Sequence, residues 1–419
     1  MDEVMAIWAE WLKPSAGLPT VQWSLLLALA AAAGHLLQRY TGLPKVVGYS
    51  IIGTLAGLAG FSGAVWPLQG VALFLLELGV SVVLFEAGGR IPLRWFRHNP
   101  MVLLQSVLES VLTAIAVYYV LRYLDVRQSV AQAVALIAMA ASPAVLSRVI
   151  IDTRAAGPVT ERAMVLSTLS TFYALTMVAA MVGMLHKGQE GELQRSLYPV
   201  GVVLGISIVV GAILALFLRS ALRVMSPTSE NTSILFIALI AAGTALAAHF
   251  GGSAPLAALL AGLLLKQLHP RPWAWPRQLG TAASLLTMLM FVLVSVVAAK
   301  ADWNPAVAGL VAALVLARGI AKICGISLAN WGSGTSWKQA LWTGCAMSPM
   351  SSVALLLVSQ FVTASMTLGP RVASIALPAI LLMEILGAMI ATFAIYRAGE
   401  SLKPWGPQDT QLMAGEARG

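Results

Sequence analysis

Charge is what this chain holds least of. Only 10% of its 419 residues are Asp, Glu, Lys or Arg, against roughly a quarter in a water-soluble domain. A soluble globular fold of this size is therefore excluded. Cysteine is nearly absent too. Cys324 and Cys345 both fall in apolar stretches without paired spacing, so they read as small core residues rather than a disulfide or metal framework. The five histidines are scattered, which leaves no ligand cluster, and His249 is expected near the membrane interface. Met181, Met184, Met288 and Met290 read as core filler rather than a metal path. No metal site or cofactor is expected. No Walker motif or nucleotide-binding glycine loop occurs, which argues against ATP as an energy source within the chain. No paired catalytic constellation occurs either, so an enzyme is not expected.

Apolar sequence fills the space that charge leaves. Apolar residues make up 59% of the chain and the mean hydropathy is +0.84. Windows of about 20 apolar residues, the length that crosses a hydrocarbon core of roughly 30 Å, recur along nearly the whole sequence. Thirteen are read, near 21–40, 45–62, 68–88, 100–123, 128–151, 161–186, 198–222, 231–249, 253–268, 279–299, 304–329, 337–361 and 372–397. This predicts an all-α polytopic membrane protein. The net charge of +9 does not point to nucleic acid, because its distribution follows topology. With the N-terminus outside, 17 of the 26 Lys and Arg residues lie in inner loops and 7 in outer ones. That bias predicts an outside N-terminus and a cytoplasmic C-terminus. Met1-Asp2-Glu3 lacks the basic flank of a secretory signal, so no cleaved peptide is expected.

Two of the apolar segments carry the same interruption. Ala141-Ser142-Pro143-Ala144 sits inside one, and Met347-Ser348-Pro349-Met350 recurs about 206 residues later inside another. Proline deletes an i→i−4 hydrogen bond and clashes with the preceding turn. At bilayer depth the freed carbonyls need partners from protein or from a water-filled cavity. One such site alone reads as a kink. The matched pair predicts discontinuous helices facing a midplane site, with Ser142 and Ser348 capping the broken ends. Six segments, an unpaired seventh and six more place the halves in inverted orientations, because the linker adds an odd crossing.

Ionisable residues at membrane depth are costly, at least about 2.5–3.5 kcal/mol on insertion scales, and each is a functional candidate. Arg318 lies mid-segment and stays charged. It reads either as a counter-charge for carboxylates, half-helix carbonyl ends or an anionic substrate, or as one partner of a fixed ion pair. Lys322, one turn along, reads as snorkelling inward. Glu109 and Glu384, near midplane in opposite halves, are the candidate proton carriers, with a static pair to Arg318 as the competing reading. Glu86 is expected in an interfacial salt bridge with nearby basic residues, and Glu77 could line an inner cavity. Ser170, Thr171 and Tyr173 sit near the breaks, where hydroxyls could ligate an alkali cation or hydrogen-bond an anion. The glycines of segment two, Gly48, Gly53, Gly57 and Gly60, suit close helix packing.

Four stretches together resemble the cation:proton antiporter superfamily, and most closely the membrane domain of monovalent cation:proton antiporter-2 proteins. They are Leu84-Phe85-Glu86-Ala87-Gly88-Gly89, Ala141-Ser142-Pro143-Ala144-Val145, Val159-Thr160-Glu161-Arg162, and Arg318 about 26 residues before Gly344. The resemblance implies a sodium/proton antiporter-like fold of two inverted repeats with crossed discontinuous helices. It also implies an external N-terminus (1–20), a dimer domain from 21–98 and 228–300, and a core transport domain from 99–186 and 303–397. A linker helix (198–223) and a short cytoplasmic tail (398–419) complete it. Arg318 matches the family's core basic residue. The family's acidic ion-binding pair, however, aligns with Thr171 and Phe172, neither of which titrates. The implied function is exchange of protons for a monovalent cation (Na+ or K+) by alternating access, through a non-standard ion site. The expected setting is a homodimer in membrane lipid, in the bacterial inner membrane, without a nucleic-acid partner. The alternatives are an anion or organic-solute transporter on the same fold, or a transport-inactive membrane scaffold or sensor.

Overall fold

Helices account for all the regular structure of the described residues. In the computed structural model of the chain these are residues 18–403, apart from 62–63, 65, 92, 188–192, 227–228 and 269–276. The expected external N-terminus up to residue 17, residues 188–192 between the sixth and seventh segments, and the tail beyond 403 lie outside them. The first repeat holds α1 (Leu18–Thr41), α2 (Lys45–Leu58), α3 (Gly70–Gly89), a short α4 (Leu93–His98) and α5 (Pro100–Tyr123). It continues through the broken span α6 (Gln128–Met139) and α7 (Pro143–Thr153) into α8 (Pro158–Lys187). After the linker α9 (Leu193–Val224) come α10 (Glu230–His249), α11 (Ala254–Leu268), α12 (Arg277–Ala299) and α13 (Pro305–Leu328). The second broken span, α14 (Trp337–Ala346) with α15 (Ser352–Ala364), leads into α16 (Gly369–Arg397).

Among the described residues, nine spans are long and apolar enough to cross a membrane, counting α6 with α7 as one. The shorter apolar helices α2, α11, Ala283–Ala299 of α12 and α15 complete the thirteen crossings read from the sequence. Some limits differ. Segment two ends at Leu58 rather than 62, and the sixth begins three residues early at Pro158, since proline suits the first turn of a helix. The basic run before His98, read as loop, contains α4.

The packing follows a pseudo-two-fold. Helix α2 packs on α12 and α3 on α11, each helix meeting the counterpart of its neighbour, while the equivalent helices α5 and α13 pack on each other. These approaches need small residues. A Cβ on Gly262 of α11 would lie 2.0 Å from the Phe85 carbonyl oxygen of α3, so any larger residue there would drive the helices apart. Cys324 is exposed on α13 rather than in the core, and Cys345 is half-buried.

Candidate functional site: the crossed breaks

The first break is short. Helix α6 stops at Met139, Ala140 is extended, and Ser142 becomes the N-cap of α7, its hydroxyl accepting from Val145 N at 3.3 Å. The second break is longer, because α14 stops at Ala346 and α15 starts only at Ser352. Its N-cap is therefore Ser351, not Ser348, and the Ser351 hydroxyl makes no capping bond. The Ser-Pro peptide here lies in the non-helical stretch before the helix instead of at its first turn. The two breaks cross: Ser142 N donates to the Pro349 carbonyl at 3.0 Å. Gly387 of α16 lets that helix press against the crossing, since a Cβ there would stand 2.7 Å from Pro349 Cα.

Broken helices leave carbonyls without intrahelical partners, and the buried side chains of α13 meet them. Arg318 is fully buried. Its Nε donates to Ala138 O (2.9 Å), Nη2 to Ala140 O (2.8 Å) and Pro349 O (3.3 Å), and Nη1 to Ser348 O, with Met383 Sδ at 3.7 Å. A guanidinium has five N–H donors, and each finds an acceptor. The cation sits where the C-terminal end of α6 and the exit of α14 present their partial negative charge. No carboxylate pairs with Arg318 among the described residues. Of the readings made from the sequence, the counter-charge for carbonyl ends describes this geometry, and neither static pair of Arg318 with Glu109 or Glu384 forms.

Lys322 does not snorkel. It is fully buried and ion-paired with Glu109, and its Nζ also donates to Met139 O at 3.2 Å. Glu109 further accepts from Ser110 Oγ (3.2 Å) and Thr113 Oγ1 (3.4 Å). Thr171 donates to Ala141 O at 2.8 Å, which leaves Ala138 to Ala141 with every carbonyl engaged by Arg318, Lys322 or Thr171. Ser170 bonds its own helix at Ser167 O, and Tyr173 meets Ser106 Oγ at 3.0 Å.

Glu384 is different. It is fully buried on α16, its Oε1 accepting from Ser50 Oγ of α2 at 3.1 Å, while Oε2 has no partner. The hydroxyls of Ser295 (α12) and Ser351 stand close beside the same carboxyl, without the geometry of a formed hydrogen bond to it or to any other group. No cation lies within ion-pair distance of it among the described residues. A crevice of about 230 Å³ opens at one end of α12 and α16, lined by Trp66, Val297, Lys300, Asp302, Ala373 and Leu377. Leu377 is about two helical turns from Glu384 on the same face of α16. At the crevice mouth Lys300 donates to Phe61 O (2.6 Å) and Ala64 O (2.7 Å), and burial holds its ammonium below the ordinary lysine range.

The transmembrane sodium/hydrogen exchanger family's sequence profile matches residues 25–396. The chain belongs to that family. It is a membrane transporter rather than an enzyme. No curated protein matches the sequence. In fold, the exchanger chain is similar to the sodium proton antiporter MjNhaP1 from Methanocaldococcus jannaschii at pH 8. The TM-score is 0.70 at 16% identity, over 91% of this chain and 98% of that one. An electron-microscopy map of MjNhaP1 aligns with TM-score 0.61 and 18% identity, over 96% of both chains. Both likenesses establish a shared fold.

Among the remaining candidates of this exchanger, Glu86 pairs with Arg90 one turn along α3, and Glu77 is half-buried without an ion pair among the described residues. Several polar groups of consequence have no role legible in the sequence. Arg162, counted there as an inner-loop charge, is buried and donates to Gln105 Oε1 (3.0 Å), Thr335 Oγ1 (3.3 Å) and Ser333 O (2.8 Å), tying α8 to α5 and the α13–α14 loop. Ser50 and Ser295 are lone hydroxyls in apolar runs. That isolation is a weak signal in the sequence.

Directly after α16, Glu400 is buried. Glu400, expected in a tail, caps the start of α8: its carboxylate accepts from Val159 N (2.8 Å), Thr160 N (2.7 Å) and Thr160 Oγ1 (2.7 Å). Asp152 does the same for α2 through Lys45 N at 2.9 Å. Nearby, Lys403 is held below the usual lysine range by burial first, then by the charge of Arg154. Capping carboxylates contribute about 0.5–2 kcal/mol. Glu400→Ala is expected to lower thermal stability by that order while leaving ion selectivity unchanged. A midpoint equal to wild type in a thermal melt would contradict the cap.

Proposed function

We propose that this exchanger swaps protons for a monovalent cation, Na+ or K+, by alternating access, with Glu384 as the carboxyl the two ions share in turn. The observation that carries this reading is the isolation of Glu384: a buried carboxyl beside the crossing, without a counter-charge in contact, bridged to another helix by one hydroxyl. Glu109 is less suited, because Lys322 already neutralises it. In this reading Thr171 and Phe172 stand where relatives carry an acidic pair, as in the monovalent cation:proton antiporter-2 proteins it resembles. The titrating group has moved to α16.

Two bodies would carry the motion. The segments 99–186 and 303–397 form the moving core, and 21–98 with 228–300 form a dimer-forming scaffold, joined by the linker at 198–223. The loop bias of Lys and Arg supports an outside N-terminus and a cytoplasmic C-terminus in a bacterial inner membrane. An anion as cargo is disfavoured, because all five Arg318 donors are engaged by the backbone and Met383. The test is proton flux in proteoliposomes after a Na+ or K+ jump. Wild type is expected to move protons against either cation, and Glu384→Gln to lose the coupling. Wild-type coupling in Glu384→Gln would remove this residue from the mechanism, and no flux with any ion would favour a transport-inactive scaffold.

A further inference from the structure

Four oxygen-bearing side chains from four helices or their caps meet around one buried point. Glu384 comes from α16, Ser351 from the cap of α15, Ser50 from α2 and Ser295 from α12. Three of their oxygens, Glu384 Oε2, Ser295 Oγ and Ser351 Oγ, are buried without a hydrogen-bond partner. Buried polar atoms are nearly always paired, so three orphans around one carboxyl need an explanation. Local packing holds them together. Gly53, one turn from Ser50, brings α2 so close to α12 that a Cβ there would lie 2.8 Å from Ser295 Cβ. Gly387 holds α16 against the second break, next to Ser351.

The chemistry of this set is all oxygen, with one negative charge at most and no nitrogen donor. Charged groups on the neighbouring helices are engaged elsewhere. Arg318 holds carbonyls and Lys322 holds Glu109. Arg148 of α7 donates to Ser284 and Tyr49, and Asp152 caps α2. Lys45 and Lys338 lie at the first turns of α2 and α14.

We propose that Ser50, Ser295 and Ser351 join Glu384 as the ligand shell of a dehydrated monovalent cation, contributed jointly by the α2–α12 pair and the α15–α16 pair. This rests on the antiport reading and adds the identity of the ligands. A hydroxyl carries one donor and two lone pairs, so the same shell serves both occupants. With the carboxylic acid form, a serine oxygen accepts the acid's proton in a hydrogen bond. With the carboxylate, the serines turn lone pairs to the cation. The exchange balances: the acid plus a bound cation gives the carboxylate–cation pair and one released proton. Because two ligands sit on each helix pair, an occupied shell joins α2 and α12 to α15 and α16. Movement between the pairs then requires the shell to be rebuilt, which makes these serines determinants of affinity and of selectivity among Li+, Na+ and K+.

The experiment measures the cation concentration for half-maximal proton flux in proteoliposomes, for Li+, Na+ and K+ at fixed pH. Ser50→Ala, Ser295→Ala and Ser351→Ala are each expected to raise it about 3- to 10-fold, the value of one lost polar contact. Ser359→Ala, which removes an equally buried and unpaired hydroxyl elsewhere on α15, is expected to leave it unchanged. Should an alanine variant misfold, Ser50→Cys and Ser295→Cys keep the side-chain size and replace oxygen with a softer ligand; the same rise is expected. Intact flux with unchanged half-saturation in the Ser50 and Ser295 variants overturns the shell and leaves the antiport reading standing. Absence of cation-driven proton flux in wild type overturns the antiport reading and the shell with it.

Discussion

Replacing Lys322 by Met will destabilise the protein by about 3–5 kcal/mol, because the fully buried Glu109 then loses the one ammonium in contact with it. The remaining hydroxyls of Ser110 and Thr113 are weak substitutes for an ammonium. Glu109→Gln alone will cost less, since Lys322 retains the Met139 carbonyl. The two changes together should recover most of the loss, as a buried ion pair replaced as a unit is often close to neutral. A thermodynamic cycle on reversible unfolding in mixed micelles checks this. Coupling of 2 kcal/mol or more, at the upper end for residues in contact, is expected. Additive effects would mean that the pair does not hold α5 to α13.

Arg318 gives the second large effect. Arg318→Met leaves Ala138, Ala140 and Ser348 with buried carbonyls that no other side chain among the described residues reaches, at roughly 1–3 kcal/mol apiece. Pro349 keeps its bond from Ser142 N. Arg318→Lys will not rescue the protein, because an ammonium offers three donors from one point while the acceptors lie on two crossing chains. Both variants should therefore melt well below wild type or fail to purify as a single species. Were Arg318 instead a substrate ligand, Arg318→Lys would fold normally and alter only binding. A melting curve separates the two.

These two side chains also mark how far the sequence could be read. The thirteen crossings and the repeated Ser-Pro break were legible because hydropathy and proline act locally. Arg318, Lys322, Glu109 and Glu384 were legible as costly charges, but their partners were not. Glu109 and Lys322 are 213 residues apart, and Ser50 and Glu384 are 334 apart. Such contacts depend on which face of each helix points inward. In a helix apolar on all sides the residue pattern does not report that face. Proximity along the chain misled in the same way. Lys322 lies within reach of a membrane edge by count, yet the carbonyl end of α6 and Glu109 draw it inward. Ser348 sits beside proline like Ser142, yet the longer second break moves the cap to Ser351.

The central claim is that one buried carboxyl exchanges a proton for a cation. The direct measurement is proton release from purified protein in weakly buffered solution on addition of NaCl or KCl, with choline chloride as the control. Wild type should release close to one proton per chain on addition of Na+ or K+, Glu384→Gln none, and Ser359→Ala as much as wild type. Release from Glu384→Gln equal to that from wild type would contradict the account.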